Sequence, residues 1–185
     1  AGNGNKSSIS IGDYDHDGYA DIVMQIYHKY MDGDEEKGER KLALYKNNGD
    51  GTFTEQKVFE PIPYESNPTP GGLFDMDLDQ DDNIVATPKK IMRPLTHGAV
   101  AMGDLNSDGW LDIVATGWAD GDNGGANMTI YKNNGDGTFS EVDLRDKDFV
   151  GLQEAELVMA DVNNDGNLDF IAFGSPNVDD GKHAD

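Results

Sequence analysis

Apolar residues in this chain come in short runs, separated at regular intervals by stretches dense in Asp, Asn and Gly. Ile22-Val23-Met24, Ile113-Val114-Ala115 and Phe170-Ile171-Ala172 are largely β-branched or bulky and predict buried strands. Each follows an acidic stretch, and a further short strand is expected ahead of that stretch, over 8–11, 99–102 and 156–159. A polar connection is expected next, over 31–40 in the first copy and 119–126 in the second. A third strand then ends in Tyr45-Lys-Asn-Asn-Gly-Asp-Gly-Thr-Phe53, which recurs without a change from Tyr131 to Phe139. Asn and Gly accept positive φ, so this segment reads as a tight hairpin into a fourth strand, over 53–59 and 139–144. The unit is thus four antiparallel strands, recurring over the 57 residues from Asp104 to Asp161.

The acidic stretches share one pattern. Asp13, Asp15, Asp17 and Asp21 place side-chain oxygens at loop positions 1, 3, 5 and 9. Asp104, Asn106, Asp108 and Asp112 do the same in the second copy, and Asp161, Asn163, Asp165 and Asp169 in the third. Hard oxygen ligands in that number suit Ca²⁺ better than other common metals. Glycine stands at position 6 each time and permits the turn that lets positions 1, 3 and 5 converge. Position 7 (Tyr19, Trp110, Asn167) is expected to offer its backbone carbonyl. An EF-hand would add a bidentate Glu at position 12 and flanking helices. Position 12 here is Met24, Ala115 or Ala172, so the closing carboxylate is the ninth residue and the loop joins two strands. Ordinary surface turns are also rich in Asp, Asn and Gly, but three copies matched at four positions point to metal. About three bound Ca²⁺ would take the formal charge from −22 to about −16 and relieve repulsion within the loops.

The Asp-x-Asp/Asn-x-Asp-Gly-x-x-Asp loop and the Tyr-Lys-Asn-Asn-Gly-Asp-Gly-Thr-Phe hairpin together resemble the FG-GAP/VCBS repeat family, whose propellers are similar to the head domain of integrin α subunits. The resemblance covers residues 7–59 and 97–174. It implies Ca²⁺ held at loop positions 1, 3, 5 and 9 plus the carbonyl of position 7. The family's literal signatures are sparse: Phe173-Gly174 is present, and no Gly-Ala-Pro occurs. The expected fold class is all-β, with propeller blades of four antiparallel strands and the calcium loops between first and second strands. One blade spans 7–60, a second 97–150, and a partial one 151–185.

Two features depart from a regular array. Asp13 and Asp104 lie 91 residues apart, and the excess falls mainly in 61–96. There Asp75, Asp77, Asp79, Asp81 and Asn83 line up with a worn loop in which Gln80 replaces the glycine. This stretch is either a degenerate half-blade with a weak fourth metal site or an insertion, and its shortness favours the insertion. Two blades and a half also make an incomplete ring, since closed propellers take four to eight blades. The remaining blades are expected from the same parent chain or from another copy, with a fragment of a longer chain favoured.

A net charge of −22 argues against nucleic acid and anionic membrane as partners, and no apolar run is long enough to span a bilayer. The chain has no cysteine, so metal takes the stabilising part that disulfides play elsewhere. Weak calcium loops work where Ca²⁺ is millimolar, which points to a secreted or surface protein, bacterial by its cysteine-free repeats. The start, Ala1-Gly-Asn-Gly-Asn-Lys6, shows no signal peptide and resembles a trimmed or mature end. No Gly-x-Ser-x-Gly or His-Glu-x-x-His occurs, and His16, His28, His97 and His183 are scattered, so no catalysis is expected. His16, at loop position 4, is expected to point into solvent. The expected function is adhesion, or recognition of a glycan or protein ligand on a loop face. Trp118, Tyr27, Tyr30 and Tyr64 are the candidate stacking residues, while Tyr19 and Trp110 are expected to pack over the loops. The alternative is a non-catalytic portion of a secreted polysaccharide lyase or hydrolase.

Overall fold

The computed structural model describes residues 7–32, 35–58, 74–78, 84–88, 95–119, 125–142, 144 and 151–176. All regular structure among them is β. The strands are β1 (Ser8–Gly12), β2 (Asp21–Asp32), β3 (Glu35–Asn47), β4 (Phe53–Gln56), β5 (Phe74–Leu78) and β6 (Ile84–Pro88). They continue as β7 (Thr96–Gly103), β8 (Asp112–Ala119), β9 (Gly125–Asn133), β10 (Phe139–Val142), β11 (Leu152–Ala160) and β12 (Asp169–Pro176). Two four-stranded antiparallel meanders result, β1-β2-β3-β4 and β7-β8-β9-β10, with two-stranded sheets from β11-β12 and β5-β6. The two meanders have the expected order of four antiparallel strands and are consistent with propeller-like blades.

The first, second and third copies stack face to face, with β1 against β7 and β7 against β11. Between the first two sheets lies the main core, where Val23 and Leu44 meet Val100, Ile113, Ala115 and Tyr131. Each Val, Leu or Ile side chain removed from water there contributes about 1.5–3 kcal/mol. Similar strand sequences have different fates according to what covers them. On β8, sandwiched between neighbours, Ile113, Val114, Ala115 and Thr116 are all buried. On β12 the equivalent residues alternate, and Ile171 and Phe173 face solvent.

Hydroxyls fasten one sheet to the next. The amides of Val100 and Met102, on the edge strand β7, donate to Ser8 Oγ and Ser10 Oγ, each at 3.0 Å. Unpaired edge amides are a liability unless covered. Thr116 Oγ1 accepts from the Leu152 amide at 2.9 Å and lies 2.8 Å from its carbonyl. β7 and β11 also share a bulge, at His97 (φ 53°) and Glu154 (φ 50°), each seven residues before its loop. Extra residues of this kind bend a strand and sharpen its twist.

Three expectations are corrected. Residues 31–40 form no free polar connection: β2 and β3 stay paired out to Asp32 opposite Glu35. A polar sequence reads as a loop, whereas strand pairing needs only the backbone, so the sequence signal failed there. The fourth strands are short, ending at Gln56 and Val142, and do not run on to 59 and 144. Asp75 and Asp77 lie within β5, opposite Thr87 and Val85, unlike the first and third loop residues, which lie between strands. Asp79, Asp81 and Asn83 fall outside the described residues.

Candidate metal centres

Each acidic loop links the first strand of its sheet to the second, and all three take one conformation. Position 4 is left-handed in each (His16 φ 60°, Ser107 φ 58°, Asn164 φ 61°), as is position 6 (Gly18 φ 89°, Gly109 φ 92°, Gly166 φ 90°). Asn tolerates this region and Gly prefers it, while His and Ser adopt it at some cost. The resulting turn brings backbone amides onto the first carboxylate. Asp13 accepts from Asp17 and Gly18 at 3.1 and 3.0 Å, Asp104 from Asp108 and Gly109 at 3.1 and 2.8 Å, and Asp161 from Asp165 and Gly166 at 3.1 and 2.9 Å. The fifth residue accepts from the amide of the seventh, at 2.9, 3.0 and 2.8 Å in the three loops.

The ninth carboxylate ties the loop together. Asp21, Asp112 and Asp169 each accept from the amide of position 2, Tyr14, Leu105 or Val162, at 3.1 Å. Asp21 and Asp112 also accept from the amides of Asn47 and Asn133, at 2.8 and 2.9 Å. Both are buried, and desolvation pushes both carboxyls above the ordinary range despite those amides. A cation among the same oxygens would hold them ionised.

In the first loop, ligand atoms of Asp13, Asp15 and Asp21 lie within 4.8 Å of one another. Asp15 Oδ1 is buried there with no hydrogen-bond partner, an orphan acceptor of the kind a metal ion satisfies. The Lys46 ammonium comes up against the same loop, donating to Asp15 and, at 2.6 Å, to Asp17. These bonds raise the Lys46 pKa and, with the Tyr19 amide, lower that of Asp17. In the second loop Lys132 lies 3.2 Å from Asp108. The Asp108 carboxyl is held low first by the Trp110 amide, and Asp165 in the third loop by that of Asn167. The donor set therefore fits a cation: oxygens only, pre-turned by the backbone, with one acceptor unsatisfied and an ammonium already drawn in.

Sequence reasoning missed the hairpin asparagines. The Asn133 side chain donates to Tyr14 O at 2.9 Å and Leu111 O at 3.3 Å, and its Oδ1 accepts from Gly135. Asn47 bonds Ala20 O and the Gly49 amide in the same way within its own sheet. The verbatim repeat of the hairpin was the available signal, because a turn alone would not demand identical residues. Tyr19 and Trp110, expected over the loops, lie against the hairpin glycines Gly49 and Gly135, where a Cβ would come within 2.5 and 2.8 Å of the rings. His16 is exposed, as expected, and makes two contacts that the sequence did not suggest. Its Nε2 lies 2.7 Å from Gly109 O and its ring packs edge-on to Trp110 at 4.5 Å, so it bridges the first two loops. Ser107 Oγ and Asn167 Oδ1, 2.9 Å apart, bridge the next two.

Of the candidate stacking residues, Trp118 is half-buried on β8 opposite Ala126. The side chains of Tyr27 and Tyr30, and all of Tyr64, lie outside the described residues. No helix among the described residues is long and apolar enough to cross a membrane.

Searches of curated proteins and of solved structures each found no match. Residues 104–172 match the family model of the FG-GAP-like repeat, from the start of the second loop to the strand after the third. Such repeats are generally non-catalytic and typically occur in extracellular proteins. The first sheet, outside the matched residues, repeats their loop and hairpin geometry. Over residues 104–172 the chain is similar to an FG-GAP-like repeat, and its stacked all-β sheets are consistent with blades of a propeller-like module.

Proposed function

We propose that the chain is an extracellular calcium-binding recognition module, in which Ca²⁺ is structural. The side chains of loop positions 1, 3, 5 and 9 would hold the ion, with the carbonyls of Tyr19, Trp110 and Asn167 as further ligands. Bound there, Ca²⁺ supplies charge neutralisation and cross-linking within a loop. The chain's own residues do the rest. Glycine and the left-handed fourth residue set the turn, the ninth carboxylate clasps the loop to the hairpin, and His16 and Ser107 link loop to loop. The observation that carries this reading is the first loop, with its buried orphan oxygen on Asp15 and the Lys46 ammonium among its carboxylates. Recognition of a glycan or protein on the loop face follows from rigid loops presented together.

Thermal melting tests the metal reading. Ca²⁺ added to chelator-treated protein is expected to raise the melting temperature, by about 2.7 kcal/mol of stability per site at a hundredfold excess over Kd. Mg²⁺ is expected to do much less, because it resists crowded, flexible oxygen cages. Equal melting curves in chelator and in calcium would refute the reading. A glycan array and a protein pull-down then separate recognition from a purely mechanical part.

A further inference from the structure

Six of the nine large hydrophobic residues exposed among the described residues lie on just two surfaces, at opposite ends of the sheet stack. Ile9 and Ile11 point away from the second sheet, since their neighbours Ser8 and Ser10 are the ones bonded to it. Val158, Val162, Ile171 and Phe173 are exposed on the third copy, Phe173 to 81%. Register shows what these surfaces are. Val158 pairs with Ile171 and Glu156 with Phe173, as Ala101 pairs with Val114 and Ala99 with Thr116 on the second sheet. In the first sheet the same places are held by Ser10 with Val23 and Ser8 with Gln25. Ala99, Ala101, Val114, Thr116, Val23 and Gln25 are all buried. Ile9 and Ile11 likewise stand where Val100 and Met102 stand on β7, packed against the first sheet. Each end of the stack is therefore a register copy of one half of an interface that already exists inside the chain.

We infer that these two faces are halves of one head-to-tail interface, and that the β11–β12 face takes the β1–β2 face of a second copy of this chain. The internal interfaces join one blade-type sheet to the next, and among the described residues the first sheet bears the matching exposed face. Such a contact is heterologous, so it propagates or closes into a ring according to the rotation between sheets. The inference rests on packing and register alone and holds whether or not the loops bind calcium.

The test is sedimentation of the full chain over a concentration series, at an ionic strength of about 0.15 M to screen its acidity. Mass is expected to rise above the 20.1 kDa of one chain. Phe173→Asp and Ile11→Asp are each expected to weaken association roughly tenfold or more without changing the circular dichroism spectrum. Mixing the two variants leaves one intact pair of faces, so a species with one copy of each, and nothing larger, is expected. A wild-type chain monomeric throughout overturns the inference, as does assembly indifferent to either variant. Failure of the two variants to pair also overturns it, by indicating a symmetric contact. Association that appears only after removal of residues 177–185 overturns it too, because that segment would then be what covers the face.

Discussion

Lys46 and Lys132 hold the same place in the repeated hairpin, yet Lys46 bonds two loop carboxylates while Lys132 meets Asp108 at the longer 3.2 Å. The difference follows from one substitution: position 3 is Asp15 in the first loop and Asn106 in the second. A fourth carboxylate draws in the ammonium, and ammonium and Ca²⁺ then compete for the same oxygens. Lys46→Met is therefore expected to lower the melting temperature in chelator while tightening calcium binding at the first loop several-fold. Lys132→Met is expected to change either quantity less; paired melts and calcium titrations check both. Asn133 sits at the same scale, buried and bonded to two carbonyls, one from each of two neighbouring loops. Asn133→Ala leaves both acceptors unmet, at a cost of about 2 kcal/mol. That is a melting shift of roughly 4–8 °C at this chain length. Asn134→Ala, at an exposed side chain, is the smaller control.

At the scale of elements, the hairpin separates two kinds of glycine. Gly135 (φ 76°) and Gly137 (φ 87°) are both left-handed, but a Cβ on Gly135 would strike the Trp110 ring whereas one on Gly137 meets open space. Gly137→Ala is expected to cost about 1–2 kcal/mol, the conformational penalty alone. Gly135→Ala is expected to cost more and to shift Trp110 fluorescence, which denaturant melts and emission spectra would read. The strands themselves were legible, because apolar runs beside Asp-Gly turns leave few alternatives. The shared turn of the three loops was legible for the same reason: oxygens and glycine recur at fixed positions three times. What the sequence hid was the ladder beyond Lys29, whose polarity mimics a loop, and the inter-loop bridges from His16 and Ser107. Those bridges depend on how neighbouring sheets stack, which no local pattern records.

The whole molecule is a stack in which burial belongs to the interfaces between sheets. Val23, Val114 and Ile171 occupy one register position, and only Ile171 is exposed, because only it lacks a covering sheet. A chain of net charge −22 built this way concentrates acid in its loops and apolar surface at its ends. On the calcium reading proposed above, counter-charge in the loops steadies this stack. Isothermal calorimetry of chelator-treated protein with Ca²⁺ measures it most directly. About three ions per chain are expected, falling by one in Asp165→Ala with the others unaffected. No calcium-dependent heat, or a stoichiometry that Asp165→Ala leaves unchanged, would contradict the account.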